Sequence, residues 1–215
     1  SRCMKNVDDL IASAQELADG GLSRGEIADE LNVSRETARW LVGQQEAADA
    51  ASTADAAPAG ADIHVDWSAI GRDSYRLAQI GAVMADLLRK ADVPVDLTVG
   101  VEKAGVPLAT VIAETMDTDL AAYTPAKHQW EEGDIAELGG SFSRNFATIR
   151  GRDCYIVDDT ITSGTTIEET VDAIREEGGE PVACVVIVDK QGVESIDGVP
   201  VYSLIDVVRV DRTHR

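Results

Sequence analysis

Two adjacent carboxylates, Asp158 and Asp159, stand directly before a small, hydroxyl-rich run, Thr160-Ile161-Thr162-Ser163-Gly164-Thr165-Thr166. Acids and hydroxyls in this order suit a ligand with two chemically different ends. Carboxylates accept hydrogen bonds from the vicinal hydroxyls of a sugar, whereas backbone N–H groups and Ser or Thr hydroxyls donate to a phosphate. A ribose 5-phosphate group satisfies both halves. Such chemistry needs a rigid support on either side, and the flanking residues supply it. Cys154-Tyr155-Ile156-Val157 is too short and too β-rich for a helix and reads as a buried parallel strand. Downstream, Ile167, Val171 and Ile174 recur on one helical face. Strand, small-residue loop and helix N-terminus together make an anion cradle, with the helix dipole favouring phosphate. No Lys follows Gly164, which excludes a nucleoside-triphosphate P-loop. The plainer alternative is a strand-to-helix turn whose Ser and Thr only cap the helix.

Residues 154–166 resemble the phosphoribosyl pyrophosphate (PRPP) motif of the type I phosphoribosyltransferases. The resemblance implies that Asp158 and Asp159 hold the ribose hydroxyls. Thr160, Thr162, Ser163, Gly164, Thr165 and Thr166 would take the 5-phosphate. A second stretch, Glu102-Lys103-Ala104-Gly105, follows the strand-like Leu97-Thr98-Val99-Gly100-Val101 and resembles the pyrophosphate loop of the same family. There Lys103 and backbone N–H groups would meet the pyrophosphate, and Gly105 would permit close approach. Taken alone, these four residues fit a surface turn with a solvated Glu–Lys pair equally well. Residues 124–145 are polar and show no apolar stripe. In the family a mobile loop occupies this region and closes over the transition state. Orotate phosphoribosyltransferases carry several Arg and Lys there, but here only Lys127 and His128 precede an acidic run. A departing pyrophosphate needs positive groups, so no residue is assigned a catalytic role and the expectation is a non-enzyme.

The first third of the chain has a different character. Val7, Leu10, Ile11, Ala14, Leu17 and Ala18 form the stripe of an amphipathic helix over residues 5–19, which Gly20-Gly21 stops. Ser23-Arg24-Gly25-Glu26 matches a capping box, opening a short helix that ends near Leu31. Asn32-Val33-Ser34 makes a turn, and Ser34 caps a third helix from Arg35 to about Gln45. Ile27, Ala28, Leu31, Val33, Ala38 and Leu41 fall where a helix-turn-helix packs its two helices. Ser34, Arg35, Glu36, Arg39 and Trp40 would then face the major groove of DNA. A helical hairpin used for dimerisation is the alternative. Residues 47–62, with nine Ala, read as a flexible linker. Beyond them, apolar strands alternate with helices, as in a mainly parallel sheet covered on both faces. Three segments are therefore expected. A helix-turn-helix domain occupies 4–46, with Ser1-Arg2-Cys3 a remnant before a natural start at Met4. A linker covers 47–62, and an α/β domain with the phosphoribosyltransferase-like parallel sheet flanked by helices covers 63–215.

The formal charge is −20, and the acids are spread along the whole chain rather than gathered into a tail. Such a surface normally argues against nucleic acid, but it also suits a cytoplasm of very high salt, where repulsion is screened. Residues 1–46 are themselves acidic, with five basic and nine acidic side chains, yet Arg35 and Arg39 outnumber Glu36 at the start of the third helix. Cys3, Cys154 and Cys184 show no metal spacing, and no apolar run is long enough for a membrane span. A cytoplasmic protein is expected. The joining of a helix-turn-helix to this sheet resembles the archaeal orotate phosphoribosyltransferase-like transcription regulators, a group that includes regulators of sugar catabolism in haloarchaea. The resemblance implies a homodimer on a double-stranded DNA operator. PRPP or a related sugar phosphate would be the effector, with Mg2+ as its companion ion and no other cofactor. An active phosphoribosyltransferase with an appended helical domain is the competing expectation.

Overall fold

The computed structural model describes residues 6–49, 62–90, 92–126 and 140–208. The described chain divides into two compact units after Asp66.

The first unit is built from α1 (Val7–Asp19), α2 (Arg24–Glu30) and α3 (Arg35–Asp49). Reciprocal capping boxes open two of them, Asn6 with Asp9 on α1 and Ser23 with Glu26 on α2. Asn32 adopts the left-handed backbone (φ 50°) that the turn between α2 and α3 requires. Ile27, Ala28, Leu31, Val33, Ala38 and Leu41 are all buried in one cluster with Ala14 and Val42. The six positions expected to pack the two helices do so.

Two boundaries differ from the sequence reading. Helix α3 continues to Asp49, so residues 47–49 of the expected linker are helical. Ala-rich sequence favours helix as readily as it signals a linker. Residues 50–61 lie outside the described residues. The segment Ile63–Asp66, expected in the α/β domain, belongs to the first unit. Three hydrogen bonds explain this. Ser34 N donates to Asp62 Oδ2 at 2.6 Å, Asn32 Nδ2 donates to Val65 O at 2.9 Å, and His64 Nδ1 pairs with Leu31 O.

The second unit contains α4 (Ser68–Gly71), α5 (Ser74–Lys90), β1 (Leu97–Val101), α6 (Gly105–Met116), β2 (Asp119–Thr124) and β3 (Ser141–Phe142). It continues with β4 (Asp153–Val157), β5 (Thr160–Ile161), α7 (Thr165–Glu176), β6 (Glu180–Asp189), β7 (Ser195–Ile196) and β8 (Val199–Asp206). The strand order is β3-β2-β1-β4-β6-β8-β7, with β5 on β6. Neighbours from β2 through β8 run parallel, and β3 and β7 close the two edges antiparallel.

Strand alternation sorts the core by face. Val99, Val101, Cys154, Ile156, Cys184 and Val186 pack with Ile167, Val171 and Ile174 of α7. Helices α5 and α6 lie against the strands on the other side, where a Cβ on Gly100 would meet Val106 Cα at 2.7 Å. Burial on both faces is why the strands read as continuous apolar runs.

Candidate functional site

The chain leaves β1 through α6 to reach β2 on one side, then returns to place β4 on the other side of β1. Such a reversal opens a crevice at the carboxyl ends of the two strands, where open α/β sheets bind ligands. Gly100 of β1 pairs in register with Val157 of β4. The loops beyond these strands, beginning at Glu102 and at Asp158, therefore emerge side by side. A Cβ on Gly105 would lie 2.3 Å from Val157 O and 3.0 Å from Asp158 Cα. The close approach expected at Gly105 is thus made to the neighbouring strand end, and it welds one loop to the other.

Within the β1 loop, Glu102 is fixed to the end of β2. Its N–H donates to Tyr123 O at 2.8 Å, and its Oε2 accepts from Thr124 Oγ1 at 2.8 Å. The Glu102–Lys103 peptide is cis, Lys103 is exposed and Ala104 is half-buried. In the β4 loop, Asp158 is 9% exposed and its Oδ1 accepts from Asp159 N at 2.8 Å. The Asp159 carbonyl accepts from Ile187 N and Val188 N, each at 3.0 Å, so β6 holds the backbone of the acidic pair. Asp159 Oδ2 accepts from Trp67 Nε1 at 2.6 Å and from Thr160 Oγ1 at 3.3 Å.

Thr160 belongs to the two-residue strand β5 rather than to the loop, and its hydroxyl turns to Asp159. The loop proper is Thr162, Ser163 and Gly164. Gly164 takes φ +86°, which a side chain would resist, and it forms the N-cap of α7. As N-cap, Gly164 has no side chain to cap α7, unlike Asn6 on α1 and Ser23 on α2. Ser163 Oγ lies 3.1 Å from Thr165 Oγ1 and accepts weakly from Thr165 N at 3.4 Å. Ser163 and Thr165 are exposed, while Thr162 and Thr166 are half-buried. Exposed hydroxyls and a glycine-capped helix end are what a phosphate dianion would engage.

Lys127 and His128 lie outside the described residues. The strand leading toward them is anchored at its end: Tyr123 Oη and Ala126 N donate to the same Glu169 Oε1, at 2.8 and 2.7 Å. Burial, then the Glu169 carboxylate, push the Tyr123 phenol well above its ordinary pKa, so it stays a donor. Among the described residues no group of three or more His, Cys, Asp or Glu could hold a metal ion, and no helix is long and apolar enough to cross a membrane.

On the first unit, Arg35, Glu36 and Arg39 are exposed, with the two arginines four apart on one face of α3. Ser34 caps α3, as expected, and Trp40 is half-buried. Ser34 Oγ accepts from Thr37 N at 3.1 Å and donates to Thr37 Oγ1, which commits it to capping. Trp40 keeps part of its surface exposed while packing against the helical core.

Trp67 is the site residue that sequence reasoning missed. It is 92 positions from Asp159, and nothing local distinguishes an indole that donates into a site from one that fills a core.

Residues 66–208 match the model of the phosphoribosyl transferase domain family. The transcriptional regulator GfcR of Haloquadratum walsbyi is 70% identical over 210 residues, covering 97% of this chain and 95% of that one. The GfcR of Halorubrum lacusprofundi is 68% identical over 209 residues, covering 97% and 99%. Among solved structures, the orotate phosphoribosyltransferase of Aeropyrum pernix has the same fold, with a TM-score of 0.55 over 70% of this chain and 82% of that one. Its identity is 18%, a likeness of fold alone. The relatives share the helical unit as well as the sheet, since their identity spans both. With three helices in a helix-turn-helix layout ahead of a phosphoribosyl transferase domain, and that pairing kept along 97% of its length, the chain belongs to the GfcR family of transcriptional regulators.

Proposed function

We propose that the protein binds double-stranded DNA through α3 and senses PRPP or a related sugar phosphate in the crevice between β1 and β4, without turning it over. The observation that carries this reading is the junction of the two loops at the switch point, where Asp158 and Asp159 stand beside a glycine-capped helix end. The acids would take the ribose hydroxyls, the Thr162–Thr166 loop the 5-phosphate, and Lys103 a pyrophosphate. Any Mg2+ would come with the ligand, held by its phosphates. The family's transcriptional role supports a sensor over a catalyst, and the exposed Arg35 and Arg39 on one face of α3 support α3 as the element that would meet DNA. Dimers would present two such helices to a pseudo-palindromic operator.

Calorimetric titration with PRPP in multimolar KCl, run beside turnover assays with orotate, uracil and adenine, tests the reading. Saturable binding without transfer is expected. The Asp158→Asn/Asp159→Asn variant should bind at least ~10-fold more weakly, because each lost charge-assisted bond is worth about 1.5–3 kcal/mol. Ribosylation of a base at ordinary enzyme rates would overturn it in favour of an active transferase.

A further inference from the structure

Trp67 is the first residue of the second unit, and the segment just before it closes on the first. Asp62 accepts from Ser34 N, His64 pairs with Leu31 O, and Val65 O accepts from Asn32 Nδ2. All three partners lie in the turn between α2 and α3, the turn that sets the start of the candidate DNA-reading helix. One residue separates Val65 from Trp67, whose indole N–H donates to Asp159 Oδ2 at 2.6 Å. An ionised acceptor makes such a bond short and strong. Asp159 is also one of the two carboxylates that the proposed function gives to the ribose hydroxyls, and the latch described here rests on that role.

We propose that Trp67 is a ligand-displaced latch: a sugar hydroxyl donating to Asp159 replaces the indole N–H, and release of Trp67 loosens residues 62–66 from the helix-turn-helix turn. Asp159 Oδ2 receives Trp67 at 2.6 Å and Thr160 at 3.3 Å, so both lone pairs of that oxygen are engaged and a sugar hydroxyl donating to it must compete with the indole. The ligand therefore favours the undocked state, and that differential affinity is what a ligand needs to shift a conformational equilibrium. The docked indole correspondingly lowers the apparent affinity by the fraction of molecules it holds closed. Covalent continuity does the rest, since a freed Trp67 no longer tethers the segment that begins one residue away.

Trp67→Phe keeps an aromatic ring and deletes the donor. With the full chain and ribose 5-phosphate as probe, the variant should bind about 3- to 10-fold more tightly than the parent, the scale of one lost competing bond. In the parent, saturating ribose 5-phosphate should speed hydrogen exchange at residues 31–35 and 62–67, whereas the ligand-free variant should already exchange at the raised rate. Equal or weaker binding by Trp67→Phe, with the parent binding normally, overturns the latch and makes Trp67 a fixed support of Asp159. Unchanged exchange in the liganded parent overturns it without recourse to any variant. No binding of ribose 5-phosphate or PRPP by the parent removes the sugar site itself, and the latch with it.

Discussion

At the scale of single residues, the crevice depends on one missing side chain. Gly105 sits where a Cβ would press on the Val157 carbonyl, a backbone atom that cannot step aside. Gly105→Ala should therefore lower unfolding free energy by about 1–3 kcal/mol, the usual cost of overpacking. Because both loops must shift to admit the methyl group, PRPP affinity should fall with it. Denaturant titration in fixed salt checks the first effect, and an unchanged midpoint would show that the loops are not welded at this point. Asp158, Asp159 and the hydroxyl run are legible in the sequence because they are contiguous and bracketed by strand and helix patterns. Gly105 is legible as a glycine with a purpose, but its contact is with a strand 52 positions away, which no local pattern reports. Thr160 shares the loop's composition, and only its pairing with Val188 shows it to be strand.

At the scale of elements, helix α3 carries the claim of DNA recognition. Its exposed face offers Arg35, Glu36 and Arg39, whereas Ala38 and Leu41 are buried in the core and Trp40 is half-buried against it. Arg pairs bidentately with guanine edges, and losing such a contact costs ~1–3 kcal/mol of discrimination. Arg35→Ala and Arg39→Ala should each weaken specific DNA binding in anisotropy titrations while leaving sugar-phosphate binding intact. A loss shared equally by specific and scrambled DNA would reassign the arginine to phosphate. No loss in either variant would mean that α3 does not enter the groove. The three helices are readable because caps, stops and apolar spacing all agree at short range. The far end of α3 is not, since an alanine-rich tract looks the same whether helical or not. The segment 62–66 escapes local reading for a related reason. Its Asp-Ile-His-Val-Asp sequence alternates polar and apolar as a half-buried strand would, and only three long-range hydrogen bonds place it on the helical unit.

At the scale of the whole molecule, a formal charge of −20 opposes both compactness and approach to DNA. Multimolar salt shrinks the Debye length to roughly 3 Å and removes most of that repulsion, along with the counterion-release gain that drives non-specific binding. Recognition must then come from shape and base contacts, and a regulator built this way can be switched by a modest free energy. Coupling between two sites typically amounts to about 1–3 kcal/mol, a 5- to 150-fold change in affinity. The central claim stands or falls on whether the crevice and the helix-turn-helix are so linked. The direct test is the anisotropy-derived affinity of the full chain for a double-stranded operator selected from a random pool, in multimolar KCl, with and without saturating PRPP. A change of at least about fivefold, in either direction and abolished by Asp158→Asn/Asp159→Asn, is the predicted result. Identical DNA affinity with and without the bound sugar phosphate would contradict it.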